Sequence, residues 1–257
     1  MIRGTGSEDL AEMTKYKIIK WNFRGLGTCV KKHRVLSMMK RLGVKIACIQ
    51  ETHLTDAEAD KLRKKWKDQL YAANSSSYAR GTMIWFAPGV PFTMKYIEGD
   101  IEGRYIVVRR ELDGLDIVLV NSYCPNIDDE RFYSKIQELL VLDLGIPLVW
   151  AGDYNCVLNG NLDRTPPKLG TKPRMTTDLI QATHNLHLTD IWRSQHPTKQ
   201  EYICHSITHN TYSRLDRIYI SSDVSQIVTD SKILARYISD HAPVLIEIQW
   251  GQTMVNR

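Results

Sequence analysis

The chain has 257 residues, 43% of them hydrophobic, with 15 glycines and 9 prolines and no low-complexity tract. That is apolar material for one large α/β domain or two small ones, and it excludes a disordered chain. A net charge of +5 permits a polyanionic partner without requiring one, while no run is apolar for long enough to span a bilayer and no secretory signal opens the sequence.

Residues 1–14 are small, polar and aperiodic and read as a flexible leader. Residues 15–250 read as one domain and 251–257 as a tail, with no linker between. Tyr16 to Trp21 is a first strand closing at Asn22 and a Gly25-x-Gly27 turn. Lys31 to Leu42 places Val35, Met38, Met39 and Leu42 on one helical face, with Gly43 as the residue after the helix. Lys45 to Gln50 is a buried strand that delivers Glu51. Thr55 with Glu58 matches a capping box, opening a helix with Ala59, Leu62, Trp66 and Leu70 inward. Strands follow at 82–87, 92–97, 104–110 and 115–120, the last running into Asn121-Ser122-Tyr123. Asp129 to Leu142 is helical by period. Pro147 to Ala151 is a short strand ending in Gly152-Asp153-Tyr154-Asn155. A helix over 175–185 and late strands at 201–205, 213–220 and 243–248 complete a mixed α/β sandwich. The five cysteines, Cys29, Cys48, Cys124, Cys156 and Cys204, form no C-x-x-C pair, which argues for reduced thiols and against a disulfide frame or a structural zinc site.

Separated strands share one pattern, an apolar run ending in an amide, an acid or a phenol: Asn22, Glu51, Tyr123, Asp153 with Asn155, and Ser239-Asp240-His241. Strand ends on one side of a sandwich meet, so these residues line one cleft. A Glu or Asp there holds a hard divalent cation, which neutralises phosphate charge. Asp and Asn on one turn orient a water, and a His beside an Asp stabilises charge on a phosphate oxygen. Each residue also has a plainer reading. Asn22 caps a turn, Asp153 and Asn155 form an Asx turn, and His241 is a hydrogen-bonding bridge.

The ordered motifs Gln50-Glu51-Thr52-His53, Asn121 to Asn126, Gly152 to Asn155, Leu215-Asp216-Arg217-Ile218 and Ser239-Asp240-His241 resemble the exonuclease–endonuclease–phosphatase superfamily, which includes DNase I and apurinic/apyrimidinic endonucleases. Leu162-Asp163-Arg164, His196-Pro197 and Thr211 to Asp216 make the chain similar to the endonuclease domain of LINE-type (non-LTR) retrotransposons. The resemblance runs from Tyr16 to Trp250. It implies a four-layer, DNase I-like α/β (α+β) sandwich, two mixed sheets face to face with helices outside. It further implies Mg²⁺-dependent nicking of double-stranded DNA, with Mn²⁺ able to substitute. The 3′-hydroxyl left behind primes a reverse transcriptase region of the same polyprotein. Residue by residue, it makes Glu51 the principal metal ligand, with Asn22 and Asp216 at the metal site. Tyr123 and His241 contact the phosphate, Asp153 and Asn155 address the water or the leaving group, and Asp240 stands beside His241. Arg164, Thr211 and Ser239 lie near DNA, and the polar hairpin tip carrying His205, His209 and Asn210 probes the duplex. Synthesis in the cytoplasm and action in the nucleus follow from the same resemblance.

Two departures are mild: Tyr154 stands where Phe is common, and Ser122-Tyr123-Cys124 replaces a Tyr-Ala pair. The alternatives are a cellular abasic-site repair endonuclease, a DNA-binding module without chemistry, and a phosphatase or lipid phosphodiesterase. Arg214-Leu215-Asp216-Arg217 in place of Trp-Cys-Asp-Arg, and the lack of an evident apolar loop, speak against the last.

Overall fold

The computed structural model describes residues 13–66, 69–167, 170 and 173–251, so nearly all of the expected leader and tail fall outside the described residues. The first half of the chain runs β1 (Thr14–Asn22), α1 (Cys29–Leu42), β2 (Ile46–Gln50), α2 (Asp56–Lys65), β3 (Leu70–Ala73), β4 (Thr82–Phe86), β5 (Phe92–Gly99), β6 (Tyr105–Leu112) and β7 (Leu115–Tyr123). Next come α3 (Phe132–Leu140), β8 (Leu148–Asp153), β9 (Arg164–Thr165), α4 (Arg174–Asn185), β10 (Leu188–Asp190) and α5 (Ile191–Gln195). The last elements are β11 (Cys204–Ser206), β12 (Thr211–Ser213), β13 (Asp216–Ser221), β14 (Val228–Ile233) and β15 (Val244–Trp250).

Side-chain alternation sets the layers. Along β7, Ile117 and Leu119 enter the core between the sheets, while Val118 and Val120 enter a second core under α3 and α4. A strand buried on both faces must be covered on both, and each fully buried Ile or Val contributes roughly 1.5–3 kcal/mol. One six-stranded sheet has the order β14-β15-β1-β2-β4-β3 and the other β10-β13-β8-β7-β6-β5. Val35, Met38, Met39 and Leu62 seat α1 and α2 on the first sheet, and Phe132, Ile136, Met175 and Leu179 seat α3 and α4 on the second. The expected four-layer sandwich is therefore present. A small third sheet, β11-β12-β9, stands beside it.

Local signals hold at the helix ends. Thr55 and Glu58 form the full capping box, and Gly43 takes the left-handed φ of 70° that closes α1. The first strand already includes Thr14, and β3, β10, α5 and β14 are elements that the sequence pattern does not single out. Among the described residues, no helix is long and apolar enough to cross a membrane.

Candidate active site

Topology gathers the expected residues at one end of the sandwich. β1 and β2 are parallel, as are β7 and β8, so Asn22, Glu51, Tyr123 and Asp153 arrive together at strand ends. β13 runs antiparallel to β8 and β15 antiparallel to β1, so Asp216 and His241 come in at their beginnings. Asp153 and Asp216 face each other as register partners. The close parallel pairing requires Gly152, because a Cβ there would stand 2.5 Å from Ser122 Oγ. That same hydroxyl accepts the Trp150 indole N–H at 2.9 Å.

Asn22 links two carboxylates: its Nδ2 donates to Glu51 Oε1 at 2.8 Å and to Asp153 Oδ2 at 2.9 Å. His241 Nδ1 meets Asp216 Oδ2 at 2.9 Å and lies 3.8 Å from Asp153 Oδ2. Lys20 is fully buried two residues before Asn22 and pairs with the other oxygen of Asp216. Asp153 accepts the Asn155 backbone N–H at 3.0 Å, and Asn155 Nδ2 donates to the Cys124 carbonyl at 2.6 Å. Glu51 and Asn155 hold left-handed backbones, φ 49° and 48°, a conformation that Asn takes readily and that costs Glu about 1–2 kcal/mol.

The electrostatics follow from burial set against these partners. Burial pushes the Asp153 carboxyl up, but the charges of His241 and Lys20 and the Asn22 hydrogen bond outweigh it and hold the group below the usual carboxylate range. Burial pulls His241 down, and contact with Cys204 together with the Asp153 charge raises it above its ordinary value. Burial, reinforced by Glu51 and Asp153, holds the Tyr123 hydroxyl protonated well above the usual tyrosine range. Lys20 is drawn down by burial to about 7, against the pull of Asp153 and Glu51.

Four expectations change. Asp216, not Asp240, is the partner of the His241 ring; Asp240 is engaged by Arg24 instead. Asp216 turns one oxygen to Lys20 and the other to His241 Nδ1, and it groups with Asp153 and His241 rather than with Glu51. Asn22 turns its amide nitrogen to the acids and its oxygen to the Arg24 N–H at 2.9 Å, so it positions Glu51 rather than ligating beside it. Ser239 is a brace, donating to the Asn22 carbonyl at 2.7 Å and accepting the His241 N–H at 3.2 Å. Thr211 is buried, whereas His209 and Asn210 are exposed on the hairpin between β11 and β12. His205 stacks on Tyr212 at 4.1 Å. Arg164, His209 and Thr211 line a cleft of about 440 Å³ that reaches Asn155. Ile207, 85% exposed at the hairpin tip, and Ile127 and Ile101 are apolar loop residues that the sequence did not reveal. Lys20, Arg24, Cys204 and the Glu51 partner His53 (3.3 Å) are site residues that sequence reasoning missed. The available signal was a lysine inside the apolar run Ile18-Ile19-Lys20-Trp21.

The endonuclease/exonuclease/phosphatase family pattern matches residues 21–241, from β1 to the histidine just described. The chain belongs to the endonuclease/exonuclease/phosphatase family. Its kinship is with nucleases, which makes it a hydrolase of that type. The exodeoxyribonuclease of Bacillus subtilis is 26% identical over 252 residues, 89% of this chain and 97% of that protein. The 149 kDa protein of transposon TX1 from Xenopus laevis is 26% identical over 225 residues, 86% of this chain. This family member spans only 17% of that protein's length. In fold it matches the AP endonuclease LMAP from Leishmania major, with a TM-score of 0.75 at 20% identity over 92% of this chain and 88% of that one.

Proposed function

We propose that this family member is a Mg²⁺-dependent DNA endonuclease that nicks target DNA and leaves a 3′-hydroxyl from which a reverse transcriptase region of the same polyprotein primes synthesis. The observation that carries this reading is the continuous line from Glu51 through Asn22 and Asp153 to His241 and Asp216. Kinship with a transposon protein supports target nicking, and kinship with an exodeoxyribonuclease supports DNA as the polymer. The partner is double-stranded DNA, with synthesis in the cytoplasm and action in the nucleus.

The donor set suits a hard divalent ion. Glu51 and Asp153 leave more negative charge than Lys20 balances, and of Glu51, Asp153 and Asp216 it is Glu51 that reaches solvent, its side chain 18% exposed. Glu51 would hold Mg²⁺, an ion that accepts few protein oxygens and keeps its waters. When bound, the ion neutralises phosphate charge and steadies the leaving oxygen. Asp153, held ionised, addresses the attacking water while Asn155 orients it. Tyr123, which keeps its proton, donates a hydrogen bond to a phosphate oxygen. His241, fixed through Nδ1 by Asp216, turns Nε2 to a non-bridging oxygen. The β11–β12 hairpin, with His205, His209, Asn210 and exposed Ile207, reads the duplex beside the cut, and Arg164 contacts its backbone.

Supercoiled-plasmid nicking with Mg²⁺ and with EDTA tests this, using the native chain, Glu51→Ala and His241→Ala. Mg²⁺-dependent nicks whose 3′ ends support primer extension, lost in both variants, are expected. Intact activity in His241→Ala sinks the phosphate-contact role. Cleavage of abasic DNA far above intact DNA moves the reading to repair.

A further inference from the structure

Asp153, Asp216 and His241 each offer one ligand atom, and these atoms lie within 4.8 Å of one another. A divalent ion bridges such a spacing, and the group is separate from Glu51, which stands on the far side of the Asn22 amide. Glu51 meets only the Asn22 amide and His53, whereas this group holds a lysine among its partners. Asp216 spends one oxygen on Lys20 and the other on His241 Nδ1. Asp153 accepts from Asn22 through Oδ2 and from the Asn155 backbone through Oδ1. Lys20 arises from the same strand face as Asn22 and Ile18, so its side chain enters between the sheets. It is fully buried, and it is the lysine among the described residues that reaches these acids.

We propose that Lys20 is the resident cation of the site: its amine stands where a second divalent ion would sit on Asp153, Asp216 and His241, and this sets the metal count at one, on Glu51. The inference rests on the metal reading proposed above for Glu51. A buried carboxylate cluster needs a matching basic group, and a lysine delivered by the adjacent strand places one there within the chain itself. The chain then needs to capture only one ion from solution. Lys20 is a positioning residue, keeping Asp216 on Nδ1 of the His241 ring.

The test is a Mn²⁺ titration of the DNA-free chain, with free Mn²⁺ read by electron paramagnetic resonance and folding checked by thermal melting. The native chain is expected to bind one ion and Lys20→Ser two. The second ion is lost again when His241→Ala is added, and Glu51→Gln removes the first ion from the native chain. Two ions on the native chain, or a single ion on folded Lys20→Ser, overturn the inference alone. No ion on the native chain takes down the Glu51 reading and this inference with it. Should Lys20→Ser not fold, His241→Ala in the native background decides. Unchanged Mn²⁺ affinity supports the inference, and a tenfold weakening places the ion on the cluster and overturns it.

Discussion

Two buried charge clusters sit a short way apart and are built on opposite principles. At the site, Lys20 pairs with Asp216 and His241 lies against Asp153 and Asp216, while Glu51 meets His53. Beside it, Asp163 and Asp190 are enclosed by Arg193, Arg214 and Arg217. Asp163 Oδ1 takes Arg193 at 2.6 Å and Arg214 at 2.8 Å, Arg214 reaches Asp190 at 2.8 Å, and Arg217 donates to the Cys156 carbonyl at 3.0 Å. That network is closed by planar guanidinium forks and fastens the turn before β9 to the start of β13. On the reading proposed above, the acid-rich cluster keeps one partly exposed acid, Glu51, for an ion. The closed one serves architecture.

The sharpest way to break the contrast is Asp153→Asn. Cleavage is expected to fall by roughly 10²–10³, the cost of losing one preorganised electrostatic group, while the melting temperature holds. A steady-state rate within tenfold of native would mean that the open cluster is also structural. Asp163→Asn is the mirror experiment. Removing one partner from a buried ion pair costs about 3–5 kcal/mol, read by urea unfolding, and Mn²⁺ affinity should stay unchanged. Its pH dependence follows from sign. Burial raises Asp163, but Arg214, Arg217 and Arg193 outweigh it and hold its folded pKa below the unfolded value. Its stabilisation is then complete above about pH 4 and lost as pH falls through the folded pKa. The gap between native and Asp163→Asn should be flat from about pH 5 to 7 and close in stronger acid. The smallest effect is Thr55→Ala, which removes the α2 cap for about 1 kcal/mol of stability and leaves nicking unchanged. Altered nicking there would extend the functional region to the outer helices.

Much was legible where chemistry is local. The capping box at Thr55, the closing Gly43 and the strands ending in Asn22, Glu51 and Asp153 are written in short windows of sequence, and the structure places all of them as read. Contacts between distant strands were not legible. Asp240 is the sequence neighbour of His241, but it lies on a bend where Arg24 engages it, and the ring turns to Asp216, 25 positions away. Arg214 and Arg217 look like surface charges until Asp163 and Asp190 are brought to them. The strand β14, Val228–Ile233, went unseen because its buried positions, Val228 and Ser231, do not keep a period of two past its bulge.

The β1–β15 pairing carries a consequence in time. The strand that delivers Asn22 is bonded at the middle of its sheet to the strand that follows His241, and the Trp21 indole holds the His241 carbonyl across 220 positions at 3.0 Å. A ribosome making this chain exposes Asn22 and Glu51 long before their partner strand exists. Residues 14–22 must wait for 244–250, so the polar cluster assembles only after β15 has cleared the exit tunnel. A nascent or truncated chain lacking β15 carries most of the reacting groups and no enzyme.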